Sequence, residues 1–336
     1  MQELPRWCVV WAGCVRCPSL GYTYNYRHLL NSRGAVAEAH MPFAVRARFR
    51  WRLRTRTLEL GPRTLLMGIL NVTPDSFADG GKWLERDRAV GHALEMLDEG
   101  ADMVDLGGES TRPNATGISP AEEQARVLPV LRAVLRARPE AVLSIDTHHA
   151  ETARMAVEAG AEIVNDVSGH LWDAEMAAEC AALGCGAVLM HTRGRPREWR
   201  GLPGLAADEV VPLVVRELEA RARAAIAAGV ARETIVLDPG FGFGKAFEQN
   251  FPLLARFEEV GALGFPMLAG VSRKGFLGRA VAEAGVEAAG SAEALAKATD
   301  LANAAAILGG AHVLRVHDVG PARLVAAIAD RVLDAV

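Results

Sequence analysis

From residue 57 onward, short apolar runs rich in Val, Ile and Leu alternate with longer Ala-rich segments whose apolar positions recur three and four residues apart. An unbroken apolar run marks a buried strand, and a period near 3.6 marks a helix. The pattern predicts strands at Leu65–Asn71, Met103–Gly107, Val142–Asp146, Ile163–Asp166, Ala187–His191, Ile235–Asp238, Met267–Val271 and His312–Val316. One intervening segment shows the helix grammar in full. Ser119 supplies an N-cap, Pro120 suits the first helical position and Glu122 completes a capping box. Val127, Val130, Leu131, Val134 and Leu135 then share one face, and Pro129 is expected to kink it. Eight strand–helix units in 280 residues predict an α/β fold of the (β/α)8 TIM-barrel type, which usually takes about 250 residues. An open doubly wound sheet is the alternative. It usually carries a Gly-x-Gly-x-x-Gly turn after its first strand, and none stands there.

Residues 1–56 have a different character. They hold ten arginines, no lysine or aspartate, and only Glu3 and Glu38, a local charge of +8 against a net charge of −4 for the 336-residue chain. Tyr22, Tyr24, Tyr26, Cys8, Cys14 and Cys17 all fall within it. An Arg-rich targeting peptide, a metal pair at Cys14 and Cys17, a basic arm, and translation from Met41 or later are competing readings. Cys14 and Cys17 have no second pair nearby, and no clean cleavage site follows. The favoured expectation is an extension over 1–56 with little order before about residue 55, ahead of a barrel domain over 57–336. The acidic balance argues against nucleic acid as a partner. No apolar run approaches the roughly 20 residues of a membrane span. Five cysteines are too few for a disulfide scaffold of this size and point to a reducing, cytoplasmic compartment.

In a barrel, functional groups project from the C-terminal strand ends. Each predicted strand here ends at or near a polar group: Asn71, Asp105, Asp146, Asn165 with Asp166, His191, Asp238, Ser272-Arg273-Lys274, then Arg315 and His317. One such residue alone is more often a helix cap. Eight in succession converge on one mouth. Asp146, Asn165, Asp238 and Lys274 offer carboxylate, carboxamide and ammonium groups able to read a flat heterocycle with ring N–H, amino and carbonyl edges. Arg112, Arg315 and His317 are cations around the same mouth, where barrels commonly hold phosphate. His317 could instead cap the turn at Asp318. Asn71 can give a neutral oxygen to Mg2+ held mainly by substrate phosphate and water. The glycines of Asp238-Pro-Gly-Phe-Gly-Phe-Gly-Lys245 suit either a phosphate cradle or a close-fitting loop. Two long polar loops, 71–81 and 107–117, have the character of lids.

The motifs Met67-Gly-Ile-Leu-Asn-Val-Thr-Pro-Asp-Ser-Phe77, Asp105-Leu-Gly-Gly-Glu-Ser-Thr-Arg-Pro113, Ser144-Ile-Asp-Thr147, Val164-Asn-Asp166, Leu237–Lys245, Val271-Ser-Arg-Lys274 and Arg315-Val-His-Asp318 follow one another in order. In this the chain resembles the dihydropteroate synthase family of pterin-binding barrels, from about residue 57 to the C-terminus. The resemblance implies a transferase of folate biosynthesis, joining (7,8-dihydropterin-6-yl)methyl diphosphate to 4-aminobenzoate with Mg2+ as cofactor. It implies pterin contacts from Asp105, Asp146, Asn165, Asp238 and Lys274. Phe77, Thr111, Pro113, Phe243 and Ser272 would frame the aminobenzoate. Arg112, Arg315 and His317 would bind diphosphate, Asn71 the metal, and Asp79 would help close the site. Catalysis would rest on Asp146, Lys274, Asp79 and Arg315 in a dissociative substitution, with sulfonamides as competitors and a homodimer as the usual assembly. Two rivals are a methyltetrahydrofolate-dependent corrinoid methyltransferase, expected to lack the first-loop, Ser-Arg-Lys and Arg-Val-His motifs, and a non-catalytic pterin-binding paralogue. A phosphate-binding barrel of another family would have no pterin affinity.

Overall fold

A computed structural model of the chain describes residues 9–11, 14–17, 22–25, 46–73, 82–110, 117–285 and 290–335. The chain divides into two units, Met1–Phe43 and Ala44–Val336. In the first, β1 (Val9–Trp11), β2 (Cys14–Cys17) and β3 (Tyr22–Asn25) form a small antiparallel sheet.

The second unit opens with an antiparallel hairpin of β4 (Phe49–Arg52) and β5 (Thr57–Leu60), Trp51 facing Leu58. This corrects the expected boundary at residue 57, because ordered chain belonging to the barrel unit starts earlier. Arg46 is buried and donates to Thr64 Oγ1 at 2.7 Å, the Ala311 carbonyl at 2.9 Å and Asp330 Oδ1 at 2.9 Å. Trp51, Leu53 and Leu60 pack under the first residues of the barrel strands, among them Leu65, Met103, Ile163 and Val236. The Trp51 indole N–H donates to the Thr234 carbonyl at 2.8 Å. Gly186 leaves the room for this plug, since a Cβ there would lie 2.7 Å from Leu53. Trp51→Ala is therefore expected to cost about 3–5 kcal/mol in urea unfolding, the usual range for a large buried aromatic.

Eight parallel strands follow: β6 (Leu65–Asn71), β7 (Met103–Gly107), β8 (Leu143–Asp146), β9 (Ile163–Asp166), β10 (Gly186–Met190), β11 (Ile235–Asp238), β12 (Leu268–Ala269) and β13 (Val313–Val316). Neighbours pair in the order β11-β10-β9-β8-β7-β6-β13-β12, and a parallel bridge between Leu237 and Met267 joins the two ends into a barrel. The strands are almost wholly buried, as expected when helices cover a parallel sheet. The helices are α1 (Lys82–Glu99), α2 (Pro120–Ala137), α3 (Ala150–Glu158), α4 (Met176–Leu183), α5 (Ala207–Ala227), α6 (Asn250–Ala255), α7 (Phe257–Gly261), α8 (Gly275–Glu283), α9 (Ala292–Leu308) and α10 (Val319–Asp334).

Most strand limits match the apolar runs. Met267 only bridges to β11, and Met190 ends β10 so that His191 begins the loop. The α2 cap is as expected: Glu122 N–H donates to Ser119 Oγ at 3.3 Å and Ser119 N–H to Glu122 Oε2 at 2.9 Å. The helix runs unbroken through Pro129, with Val127, Leu128, Val130, Leu131 and Val134 buried on its inner face.

Candidate active site

The C-terminal strand ends surround a cavity of about 510 Å3. Asn71, Asp146, Asn165, Asp238, Phe243, Ser272, Lys274, Arg315 and His317 line it, nine of the residues singled out in the sequence. Asp105 lies beneath this lining, fully buried in β7. Phe77, Asp79, Thr111, Arg112 and Pro113 lie outside the described residues.

The acidic groups are tied together by one arginine. Arg315 Nε donates to Asp105 Oδ2 at 2.7 Å and its Nη2 to Asp146 Oδ2 at 2.6 Å. Asn165 Nδ2 donates to the same Asp105 oxygen at 2.8 Å. Parallel register produces this grouping, because Asp146 pairs with Asn165 across β8 and β9, and Gly107 of β7 pairs with Asp146. Asp105 thus orients Asn165 and Arg315 from below, and these two reach the cavity wall themselves. Arg315 is expected on diphosphate; in the structure two of its nitrogens face inward to carboxylates.

Burial sets the protonation equilibria. Burial pushes the Asp146 carboxyl up to about 7, with Arg315 opposing and Asp105 adding to the shift. Asp238 is also raised by burial, against a Gly240 N–H donated to its Oδ1 at 2.7 Å and the nearby Lys274 charge. Lys274 is pushed down to about 8 by burial and by Arg315. Its ammonium sits 4.1 Å from the centre of the Phe243 ring, a cation–π contact joining the expected pterin and aminobenzoate regions. For Arg315, burial alone would lower the pKa, and Asp105 and Asp146 more than reverse this, so the guanidinium stays charged.

His317 differs from expectation. Burial, Arg273 and Arg315 push it down to about 4, so it stands at the mouth as a neutral ring rather than a cation. Ser272 Oγ lies 3.0 Å from its Nδ1 and accepts its backbone N–H at 3.2 Å. A Ser272 hydroxyl donating to Nδ1 places the ring proton on Nε2, as a neutral donor. Arg273 supplies cationic charge instead, although a fork of hydrogen bonds at 2.6–3.1 Å holds it to Asp318.

The glycine-rich loop proves to be a close-fitting one. Gly240 and Gly244 have φ of +67°, and a Cβ at these positions would come 1.9 Å from the His191 carbonyl and 2.5 Å from that of Arg193. Lys245 turns inward, donating to the Gly240 carbonyl at 2.7 Å and to those of Phe243 and His191 at 3.2 and 3.4 Å. Its Nζ therefore braces the loop that carries Phe243. His191 is buried behind the cavity, its Nε2 3.1 Å from Glu217 Oε2, consistent with a loop-ordering role. Glu109 also lines the cavity, although the sequence gives it no role of its own inside the Gly-Gly-Glu-Ser motif.

The Pterin binding enzyme family model matches residues 67–317. A Synechocystis dihydropteroate synthase is 40% identical over 270 residues, covering 80% of this chain and 90% of that protein. The structure is similar to Xanthomonas albilineans dihydropteroate synthase with 4-aminobenzoic acid, at 39% identity and a TM-score of 0.76, covering 86% of this chain and all of that one. A Yersinia pestis dihydropteroate synthase in complex with a sulfonamide drug matches at 35% identity and a TM-score of 0.76, over 85% of this chain and 100% of that one. The chain belongs to the pterin-binding enzyme family and, within it, to the dihydropteroate synthases.

Proposed function

We propose that the cavity carries out the substitution in which (7,8-dihydropterin-6-yl)methyl diphosphate and 4-aminobenzoate give 7,8-dihydropteroate and diphosphate. The observation that carries this reading is the cavity wall itself. Asp146, Asn165, Asp238 and Lys274 present acceptors and donors to a chamber sized for a small heterocycle. An aminopyrimidinone edge supplies the N–H groups that buried carboxylates require.

The bond that breaks joins the pterin methylene to the bridging oxygen, and the electron pair leaves with diphosphate. The positive charge left on the methylene spreads into the electron-rich dihydropterin ring. The aminobenzoate nitrogen then forms the new C–N bond and sheds a proton. Such a dissociative step needs positioning and electrostatics more than a strong base. Asp146, ionised above about pH 7, stabilises the developing cation through the ring nitrogens. Asn165 and Asp238 fix the ring orientation, and Lys274 holds the ring edge while its charge rests on Phe243. Phe243 and Ser272, with Phe77, Thr111 and Pro113, frame the aminobenzoate. Arg112, Arg315 and neutral His317 address the diphosphate, and Asp79 serves loop closure.

Asn71 fits the Mg2+ assignment, since its carboxamide is exposed at the end of β6 and lines the cavity mouth. One neutral oxygen suits an ion held chiefly by phosphate and water. The metal would neutralise charge on the leaving diphosphate. Sulfonamides resemble 4-aminobenzoate in shape and charge. They are expected to raise its apparent KM without changing kcat; a fall in kcat that excess 4-aminobenzoate does not reverse would refute this placement.

A second copy of the chain is the proposed partner. Leu301 on α9 and Leu324 and Ile328 on α10 are 75%, 72% and 70% exposed, an apolar face on two adjacent helices. Leu324→Glu combined with Ile328→Glu should convert a sedimenting dimer into a monomer; an unchanged sedimentation coefficient would contradict the assignment. Among the described residues no helix is long and apolar enough to cross a membrane. Cys180 and Cys185 are free and buried, in keeping with the proposed cytoplasmic compartment.

A further inference from the structure

The loops after β7 and β8 bring together Glu109, His148 and His149. This is the one group of at least three His, Cys, Asp or Glu side chains in metal-ligand proximity among the described residues. Their ligand atoms all lie within 4.8 Å of one another. The backbone that presents them is fixed on both sides. Arg126 Nη1 donates to the Gly108 carbonyl at 2.8 Å, just ahead of Glu109. The His149 N–H donates to Thr147 Oγ1 at 3.1 Å, and that hydroxyl donates onward to buried Glu123 at 2.7 Å. The two imidazoles lie one beside the other, ring centres 4.1 Å apart, and Trp172 stands nearly perpendicular to His148 with ring centres 5.1 Å apart.

Glu109 Oε2 and His149 Nε2 face each other at 3.5 Å, both shielded from solvent, as an ion pair without a close hydrogen bond. A metal cation that takes the place of the His149 proton would use both atoms as ligands. With the His149 proton displaced, two imidazole nitrogens and one carboxylate form the donor set of an open tetrahedral zinc site, with the fourth position left for water or an anion. Ligand atoms around such an ion stand roughly 3.3 Å apart, so small side-chain rotations would close the cluster onto it. Mg2+ prefers oxygen ligands at octahedral spacing, whereas imidazoles favour zinc and its neighbours.

We propose that Glu109, His148 and His149 bind one late first-row divalent cation of the zinc class, at a site beside the substrate cavity and separate from the Mg2+ position at Asn71. The ion ties the loop after β7 to the loop after β8. Because Glu109 lines the cavity, it does so at the edge of the substrate chamber.

The test uses the full chain, stripped with a chelator and titrated calorimetrically with Zn2+ alone. One ion per chain is expected, still bound in millimolar Mg2+. Co2+ in its place should give the intense visible absorption of tetrahedral coordination. His148→Ala/His149→Ala should abolish the binding heat while keeping the circular dichroism of the stripped parent. Should that double variant fail to fold, Glu109→Gln decides, with an expected loss of at least about tenfold in affinity. Asn71→Ala should bind Zn2+ as the parent does. No binding by the parent, or undiminished binding by a folded ligand variant, overturns the proposal. Loss of binding in Asn71→Ala overturns it too, by showing that the ion occupied the Mg2+ position. None of these readouts depends on turnover.

Discussion

Asp146→Asn is expected to lower kcat/KM for the pterin diphosphate by about 10²–10³-fold, the range for removing one electrostatic stabiliser from a water-excluded site. The substitution keeps the shape at the tip of β8 and removes the charge. It therefore removes the acceptor for ring N–H groups and the anion facing the developing cation. The pH dependence gives a second signature. Folding raises the Asp146 pKa to about 7 while Lys274 is lowered to about 8. Binding needs the carboxylate ionised and the ammonium protonated, so kcat/KM should rise through about pH 7 and fall above about pH 8. The rising limb should vanish in Asp146→Asn and the falling limb in Lys274→Met. A carboxyl with a raised pKa contributes to stability below its unfolded pKa and loses that contribution as pH rises through about 7. At pH 8 the asparagine variant should thus melt within a few degrees of the parent. Unchanged kinetics, or a collapse in melting temperature, would contradict the role.

Arg315→Met should act on the fold itself. It leaves Asp105, with no exposed side-chain surface, and Asp146, only 16% exposed, without their shared counter-charge. Breaking a buried pair by removing one partner costs about 3–5 kcal/mol, because the remaining charge has neither water nor an ion to solvate it. Urea unfolding at pH 8 is expected to show a loss of this size, smaller at pH 5, where Asp146 is protonated. Lys274→Met, which removes a cation already lowered by burial, should leave the unfolding midpoint close to that of the parent. A change below 1 kcal/mol in Arg315→Met at pH 8, roughly the value of an exposed pair, would show that the bridge contributes little.

The barrel was readable because its strands are buried on both faces and so appear as unbroken apolar runs between amphipathic helices. The mouth was readable because polar residues close those runs at regular intervals. The hairpin beneath is harder to read. Arg48-Phe-Arg-Trp-Arg-Leu-Arg54 has the strict alternation of a half-buried strand, yet its charge gives it the look of a basic arm. The alternation places Trp51 and Leu53 in the core and leaves Arg50, Arg52 and Arg54 exposed. Side-chain direction at the mouth was not legible either. Arg315 reads as a phosphate ligand by position, and nothing local to it reveals that Asp105, 210 residues earlier, takes its Nε. His317 reads as a cation until the burial and the neighbouring arginines that discharge it are known. Lys245 reads as the end of a phosphate loop, and only the folded loop shows three carbonyls converging on its Nζ.

Whether the cavity is a synthase site is decided by diphosphate release from the purified full chain with Mg2+ and the dihydropterin diphosphate, with and without 4-aminobenzoate. Release should require both organic substrates, with 7,8-dihydropteroate formed in equal amount. Binding of the pterin diphosphate without product, or release that does not respond to 4-aminobenzoate, would contradict that assignment.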